Sequence, residues 1–193
     1  MNVAELTRNA VNVLPAGGLE EKLKLNRPLR VKMGIDVTAP HVTLGNGIPL
    51  QRMRAFQDAG HIGVLIVGDY TTRIGDPSGR SEKRPMIDPD EIDAHAQRYF
   101  DHACRIVDRE RTELRFNSEW LGKLDFAEIL RLTRTTTVAR LLERDDFAKR
   151  FAANAPISVS ELLYPLMQAY DSVAVQADVE LGGTDQLFNL IMG

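Results

Sequence analysis

Six consecutive residues, Ile62-Gly-Val-Leu-Ile-Val67, carry no polar side chain. A run that short and that apolar predicts a strand buried on both faces of a parallel sheet. Upstream, residues 29–35 (LRVKMGI) form a second apolar-rich run, bounded by Pro28 and Asp36, and predict another strand. Between the two, Ile48, Leu50, Met53 and Phe56 recur at roughly helical spacing and predict a helix over 46–59. Gly60 is placed to end it in a left-handed conformation. Strand, helix, strand in this order is a βαβ unit, whose crossover is right-handed.

The remaining elements extend that unit. Periodicity and breakers predict a helix over 4–13 that stops before Pro15, and a helical turn pair over 19–25. A polar loop over 68–86 leads to a long amphipathic helix over 89–109 and a brief strand over 113–116. Asn117 and Ser118 are ready caps for the next helix, and 121–151 reads as several short helices. Ser158 with Glu161 three residues on makes a capping box for a helix over 159–170. A last strand is expected over 173–177, and Gly182-Gly183 leads into a helix beginning near Thr184. The architecture expected is α/β, a Rossmann-like nucleotide-binding domain with a parallel sheet and an inserted helical segment.

Length and composition narrow the classes. The 193 residues suit one domain, and 44% hydrophobic with 26% charged is a globular balance. No apolar run approaches the roughly 20 residues needed to cross a bilayer. The first residues lack the basic start and apolar stretch of a secretory signal. Cys104 is the only cysteine, so it has no internal partner for a disulfide or a zinc site. These features predict an intracellular protein without a structural metal and without a membrane partner. The net charge of −3 exerts no global pull on nucleic acid, so RNA contacts would come from local basic patches or from sequence outside this chain.

The loop after the first strand, Gly34-Ile-Asp-Val-Thr-Ala-Pro-His-Val-Thr-Leu-Gly45-Asn46-Gly47, sits where open α/β sheets bind ligands. Its glycines permit close backbone approach, the following helix offers unpaired N–H groups to an anion, and Thr38 and Thr43 add hydroxyl donors. Taken alone, the loop fits an unliganded βα turn equally well.

Within it, G-x-D-x-T-A-P-x-x-x-L-G resembles the first signature of tyrosyl-tRNA synthetases. That signature usually ends His-Ile/Leu-Gly-His; here it reads Thr43-Leu44-Gly45-Asn46, with both histidines replaced by neutral donors. Four further segments resemble the family in order. They are the Gly68–Arg80 loop with T-x-x-I-G-D-P-S-G, Asn117-Ser-Glu-Trp120, Tyr164-Pro-Leu-Met-Gln168-Ala-Tyr170-Asp171, and Gly182-Gly-Thr-Asp-Gln-Leu-Phe-Asn189. Each is weak alone; together they are highly specific.

The resemblance implies a catalytic domain, incomplete over 1–193, of a tyrosine–tRNA ligase that uses ATP. Thr38, Thr43 and Asn46 would act on ATP in catalysis. Lys32, Thr71, Asp76, Asn117, Tyr164, Gln168, Asp171 and Gln186 would bind tyrosine; Gly34, Asp36, Gly45, Gly183 and Asp185 would bind ATP or the adenylate. Asp76, Tyr164 and Gln168 would take the ammonium, and Asp171 the phenol. Lys32 stands where the family often has a second phenol-binding tyrosine. Trp120, Tyr170 and His41 are expected in core or loop roles. The resemblance further implies Mg²⁺, with no protein ligand identifiable, the partners L-tyrosine, ATP and tRNA(Tyr), a homodimer, and a cytoplasmic location. The second family signature, of the K-M-S-K-S type, and an anticodon-binding domain are absent from this chain. Two alternatives are a non-catalytic paralogue that binds tyrosine or an adenylate, favoured by the replaced histidines, and a tryptophan enzyme, which Y-x-x-x-Q-x-Y-D argues against.

Overall fold

The computed structural model describes residues 2–36, 41–73 and 89–193. The two predicted strands of the βαβ unit, β1 (Arg30–Ile35) and β2 (Ile62–Val67), pair in parallel from Arg30↔Ile62 to Ile35↔Val67. Two more strands, β3 (Thr112–Phe116) and β4 (Val179–Leu181), complete a four-stranded parallel sheet in the order β3-β2-β1-β4. Helices α1 (Val3–Leu6) and α2 (Gly18–Leu23) precede β1, α3 (Leu44–Asp58) connects β1 to β2, and α4 (Pro89–Ala103) lies between β2 and β3. The predicted helical segment is four short helices, α5 (Ser118–Leu121), α6 (Phe126–Thr133), α7 (Val138–Leu141) and α8 (Asp145–Ala152). The long α9 (Val159–Ala174) then precedes β4, and α10 (Leu187–Met192) follows it.

Both faces of the sheet are covered, which is why β2 can be apolar throughout. Its Leu65 and Val67, with Met33 of β1, pack against Leu50 and Met53 of α3 and Ala96, Tyr99 and Phe100 of α4. Val64 and Ile66 face the other way, toward Val175 and Trp120. The period of two that sends alternate residues to opposite faces has one consequence for the site. Lys32, opposite Val64 on one side and Glu180 on the other, belongs to the α9 face.

The expected strand over 173–177 is corrected: α9 runs on to Ala174, Gln176 adopts φ +51°, and the strand is three residues at Val179–Leu181. Val175 is drawn into the core with Val64 and Ile66, and that burial outweighs the strand propensity of a Val-Ala-Val run. The expected helix over 4–13 stops at Leu6, with Asn9 at φ +65°. The helix expected to reach 109 ends at Ala103, because the Gln57 side chain engages both Asp108 N and Asp108 O, at 2.8 and 3.1 Å. Gly60, at φ +94°, closes α3 as predicted. Among the described residues no helix is long and apolar enough to cross a membrane.

Candidate functional site

The strand order reverses between β1 and β4, and a cleft of about 960 Å³ lies at their carboxyl ends. Such switch points are where open α/β sheets take ligands, and the volume suits a small molecule. The end of β1, the first turn of α3, one face of α9 and the Gly182-Gly183 turn line it.

Asp36, just past β1, ties two of these walls together. Its Oδ1 accepts from Thr71 Oγ1 at 3.0 Å and its Oδ2 from the Tyr164 hydroxyl at 2.9 Å. Glycine at position 68 makes room for this: a Cβ there would fall 2.1 Å from Asp36 Oδ1 and 2.3 Å from Thr71 Oγ1. Tyr164, Gln168 and Asp171 stand four and three residues apart on α9, so they share a face, and all three line the cleft.

Asp171 is 4% exposed. Trp120 Nε1 donates to its Oδ1 at 2.8 Å and Asn117 Nδ2 to its Oδ2 at 3.4 Å. Asn117, fully buried, also donates to Thr71 Oγ1 at 3.1 Å and accepts from Tyr70 N at 3.0 Å. Burial pushes the Asp171 carboxyl up to about 7; the Lys32 charge and the bonds from Trp120 and Asn117 pull it back. The cleft therefore ends in a buried carboxyl that is held in place and titrates near neutral pH.

A second chain of bonds fixes two amides. Arg144, 4% exposed, donates from Nη1 to Asn189 Oδ1 at 3.2 Å, and a guanidinium can only donate. The Asn189 oxygen must accept, so its Nδ2 faces away and donates to Gln168 Oε1 at 2.8 Å and Gln186 Oε1 at 3.0 Å. Gln186 Nε2 in turn donates to Asp185 Oδ2 at 3.1 Å. Arg144 is itself anchored to Asp146 Oδ1 at 2.9 Å.

At the other end of the cleft, Thr43 and Asn46 cap α3. Asn46 N donates to Thr43 Oγ1 at 3.2 Å, while Thr43 N and Thr43 Oγ1 donate to Asn46 Oδ1 at 3.1 and 2.8 Å. This is a reciprocal capping box, with asparagine in the place usually held by Glu or Gln. The Thr43 hydroxyl proton is thus engaged locally, and the Asn46 Nδ2 group carries none of these bonds.

Of the residues expected from sequence, Gly34, Asp36, Thr43, Gly45, Asn46, Thr71, Tyr164, Gln168, Asp171, Gly183, Asp185 and Gln186 line one cleft. Asn117 stands behind it, bonded to Thr71 and Asp171. Lys32 also stands outside the lining, fully buried, with its ammonium on Gln168 O, Ser172 Oγ and Glu180 Oε1 at 3.0, 2.9 and 2.5 Å. Thr38 and Asp76 lie outside the described residues. His41 lines the cleft and stacks on His102, with ring centroids 5.9 Å apart. Sequence reasoning assigned no part to Arg144, Ser172, Glu180 or Asn189, and took Trp120 for core. Asn189 closes the last quoted motif, which was the available signal; the other contacts depend on strand register and helix docking. Among the described residues no group of three or more His, Cys, Asp or Glu side chains is placed to hold a metal ion. The Mg²⁺ that the resemblance implies has no such set of side chains among the described residues.

Residues 23–193 match the family model of class I tRNA synthetases (W and Y). The chain is 55% identical over 188 residues to the tyrosine–tRNA ligase of Thermotoga maritima, covering 97% of this chain and 47% of that protein. It is 53% identical over 192 residues to that of Moorella thermoacetica, covering 97% and 46%. The chain thus spans about half the length of these curated relatives. Among solved structures, the tyrosyl-tRNA synthetase of Archaeoglobus fulgidus, complexed with L-tyrosine, shares the fold with a TM-score of 0.78. That match is at 22% identity and covers 98% of this chain and 56% of that one. The mitochondrial tyrosyl-tRNA synthetase of Coccidioides posadasii gives a TM-score of 0.76 at 25% identity, covering 93% and 53%.

Proposed function

The chain belongs to the class I tRNA synthetase family of the tryptophan and tyrosine enzymes, and from that premise we propose that it carries the amino-acid pocket and part of the ATP site of a tyrosine–tRNA ligase. The observation that carries the choice of tyrosine is Asp171, a carboxyl almost wholly buried at the closed end of the cleft and held from behind by Trp120 and Asn117. An acceptor so placed pairs a phenolic hydroxyl and is left without a ligand partner by phenylalanine. Strong rejection of the analogue that lacks the hydroxyl follows, a rule for which tyrosyl-tRNA synthetases are themselves the standing example. Relatives at 50–55% identity that are tyrosine–tRNA ligases support the ligase over a non-catalytic paralogue.

In this reading the ammonium of tyrosine lies against Tyr164, Gln168 and Asp76, and the ribose of ATP against Asp185. The α-carboxylate attacks the α-phosphorus of ATP, the bond to the β-phosphate oxygen breaks, and pyrophosphate leaves. A tRNA terminal hydroxyl then attacks the carbonyl, and AMP departs. The chain's part is positioning and charge stabilisation, with no protein nucleophile. The N-terminal turn of α3, with Gly34 and Gly45, would face the phosphates, and its unpaired N–H groups suit them. We place the protein in the cytoplasm as a homodimer acting on tRNA(Tyr), with 1–193 as part of its catalytic domain. Phe126 and Leu130, exposed on amphipathic α6, support a subunit interface.

Tyrosine-dependent exchange of labelled pyrophosphate into ATP by the full-length protein tests this. Exchange with L-tyrosine and none with L-phenylalanine or L-tryptophan is expected, and Asp171→Ala should abolish the preference in a protein that still folds. No exchange with any amino acid would overturn the ligase reading.

A further inference from the structure

Lys32 is the most deeply buried charge in the described residues, at 0% exposure. It sits opposite Glu180 in the parallel register of β1 and β4. Its ammonium has three donors, and three acceptors meet them: Gln168 O, Ser172 Oγ and Glu180 Oε1. Ser172 Oγ donates its own hydrogen bond to Glu180 Oε2 at 2.9 Å, closing the ring of contacts. With its donors filled and its side chain outside the cleft lining, Lys32 has no hydrogen bond to give a ligand.

Its charge remains available. Burying an ion pair costs desolvation, and an apolar pair of the same volume would usually serve folding as well. Gln168 and Ser172 bracket Asp171 on α9, so the ammonium lies beside the stretch of helix that carries that carboxyl. The titratable groups facing Asp171 among the described residues are Lys32 of β1 and Asp36 just past it, Glu180 from β4 through Lys32, and Tyr164 of its own helix through Asp36. Thr71, Asn117 and Trp120 offer only neutral groups. Lys32 is the foremost influence opposing the effect of burial on Asp171, and Asp36 acts the other way.

We propose that Lys32, locked by Glu180 and Ser172, is a positioning residue that draws Asp171 toward its ionised, accepting form, and so sets the preference for a hydroxylated ring without touching the substrate. This rests on the reading of Asp171 as the phenol partner. It also replaces the direct contact that the family resemblance implied for position 32: a buried cation behind the acceptor does the work of a second hydroxyl beside it.

Trp120 supplies a reporter, since its indole N–H is bonded to Asp171 Oδ1. In the full-length protein without ligand, the Trp120 indole resonance, identified by its loss in Trp120→Phe, should titrate with a midpoint near 7. Lys32→Met should raise that midpoint by about one to three pH units, the range a neighbouring charge commonly produces. Glu180→Gln should lower it, because the cation is then unopposed. If Lys32→Met does not fold, Lys32→Met/Glu180→Met leaves no unpaired buried charge and carries the same expectation. The ratio of tyrosine to phenylalanine affinity, measured by calorimetry, should rise through the same midpoint in each protein. Unmoved midpoints, or shifts of the same sign in Lys32→Met and Glu180→Gln, would overturn the proposal, since loss of packing alone does not yield opposite signs. Midpoints that move as expected in a protein with no preference for tyrosine at any pH would instead overturn the tyrosine reading, and with it the role of Lys32 in specificity.

Discussion

Two side chains stand where the family keeps histidines, and their hydrogen bonds say which can serve ATP. The Thr43 hydroxyl both accepts from Asn46 N and donates to Asn46 Oδ1, so its first duty is to cap α3. The Asn46 amide nitrogen is the donor left over. Losing an N-cap hydroxyl costs about 1 kcal/mol, and losing a transition-state donor slows turnover by about 10²–10³. Thr43→Ala should therefore show a small drop in thermal stability, with pyrophosphate exchange slowed because Asn46 loses the hydroxyl that holds its amide in place. Asn46→Asp retains the oxygen that closes the cap, removes the donors and adds a negative charge where the phosphates would lie. It should melt at or above the wild-type temperature while losing exchange by at least about a hundredfold, with tyrosine affinity barely changed. Exchange at the wild-type rate in a folded Asn46→Asp protein would take this loop out of the chemistry. The histidine-to-neutral change was legible in the sequence; the mutual bonding of its two replacements was not, because it depends on where the helix begins.

Between elements, legibility tracks how local the cause is. The apolar run of β2, the Ser158–Glu161 capping box of α9 and the left-handed Gly60 are set by neighbours within a few residues, and the structure has all three. The strand expected over 173–177 failed because its fate is decided from far away. Asp178 accepts from Arg27 Nη1 and Nη2, both at 2.7 Å, and from Arg30 N at 3.0 Å. That anchorage starts β4 at Val179, and Glu180 thereby comes opposite Lys32. The link from α8 through α10 to α9 is equally non-local. Asn189→Asp keeps the bond to Arg144 and removes both donations that aim the Gln168 and Gln186 amides. Two hydrogen bonds of about 1 kcal/mol each predict a KM for tyrosine raised roughly tenfold or more, with kcat changed less. An unchanged KM would mean that Gln168 is oriented by something other than Asn189.

Over the whole molecule, two aspartates pull the pH dependence of stability in opposite directions. The Arg27 hydrogen bonds hold the Asp178 carboxyl down at about 2, with smaller help from Arg30 N and Lys22. A carboxyl depressed in the folded state contributes stability that is present above its unfolded value, near 4, and lost as pH falls through about 2. Asp178→Asn should therefore destabilise the protein at pH 6 and matter progressively less toward pH 2, a difference that thermal melts across that range would register. Asp171 has the opposite sign. Burial raises it to about 7, so the folded state holds its proton more tightly than the unfolded chain. Stability is then greatest below about 4 on this account and is lost as pH rises through about 7, by on the order of a few kcal/mol. The residue proposed to read the substrate hydroxyl is thus one whose ionisation the fold resists, the usual exchange of stability for function at a binding site. The measurable consequence is a difference of differences. Whatever fixed offset Asp171→Asn introduces through its bonds to Trp120 and Asn117, the melting temperature of the variant relative to wild type should rise between pH 5 and pH 8. A relative stability that stays flat over that interval would show that Asp171 ionises in the folded protein as it does in water, and that the closed end of the cleft is open to solvent.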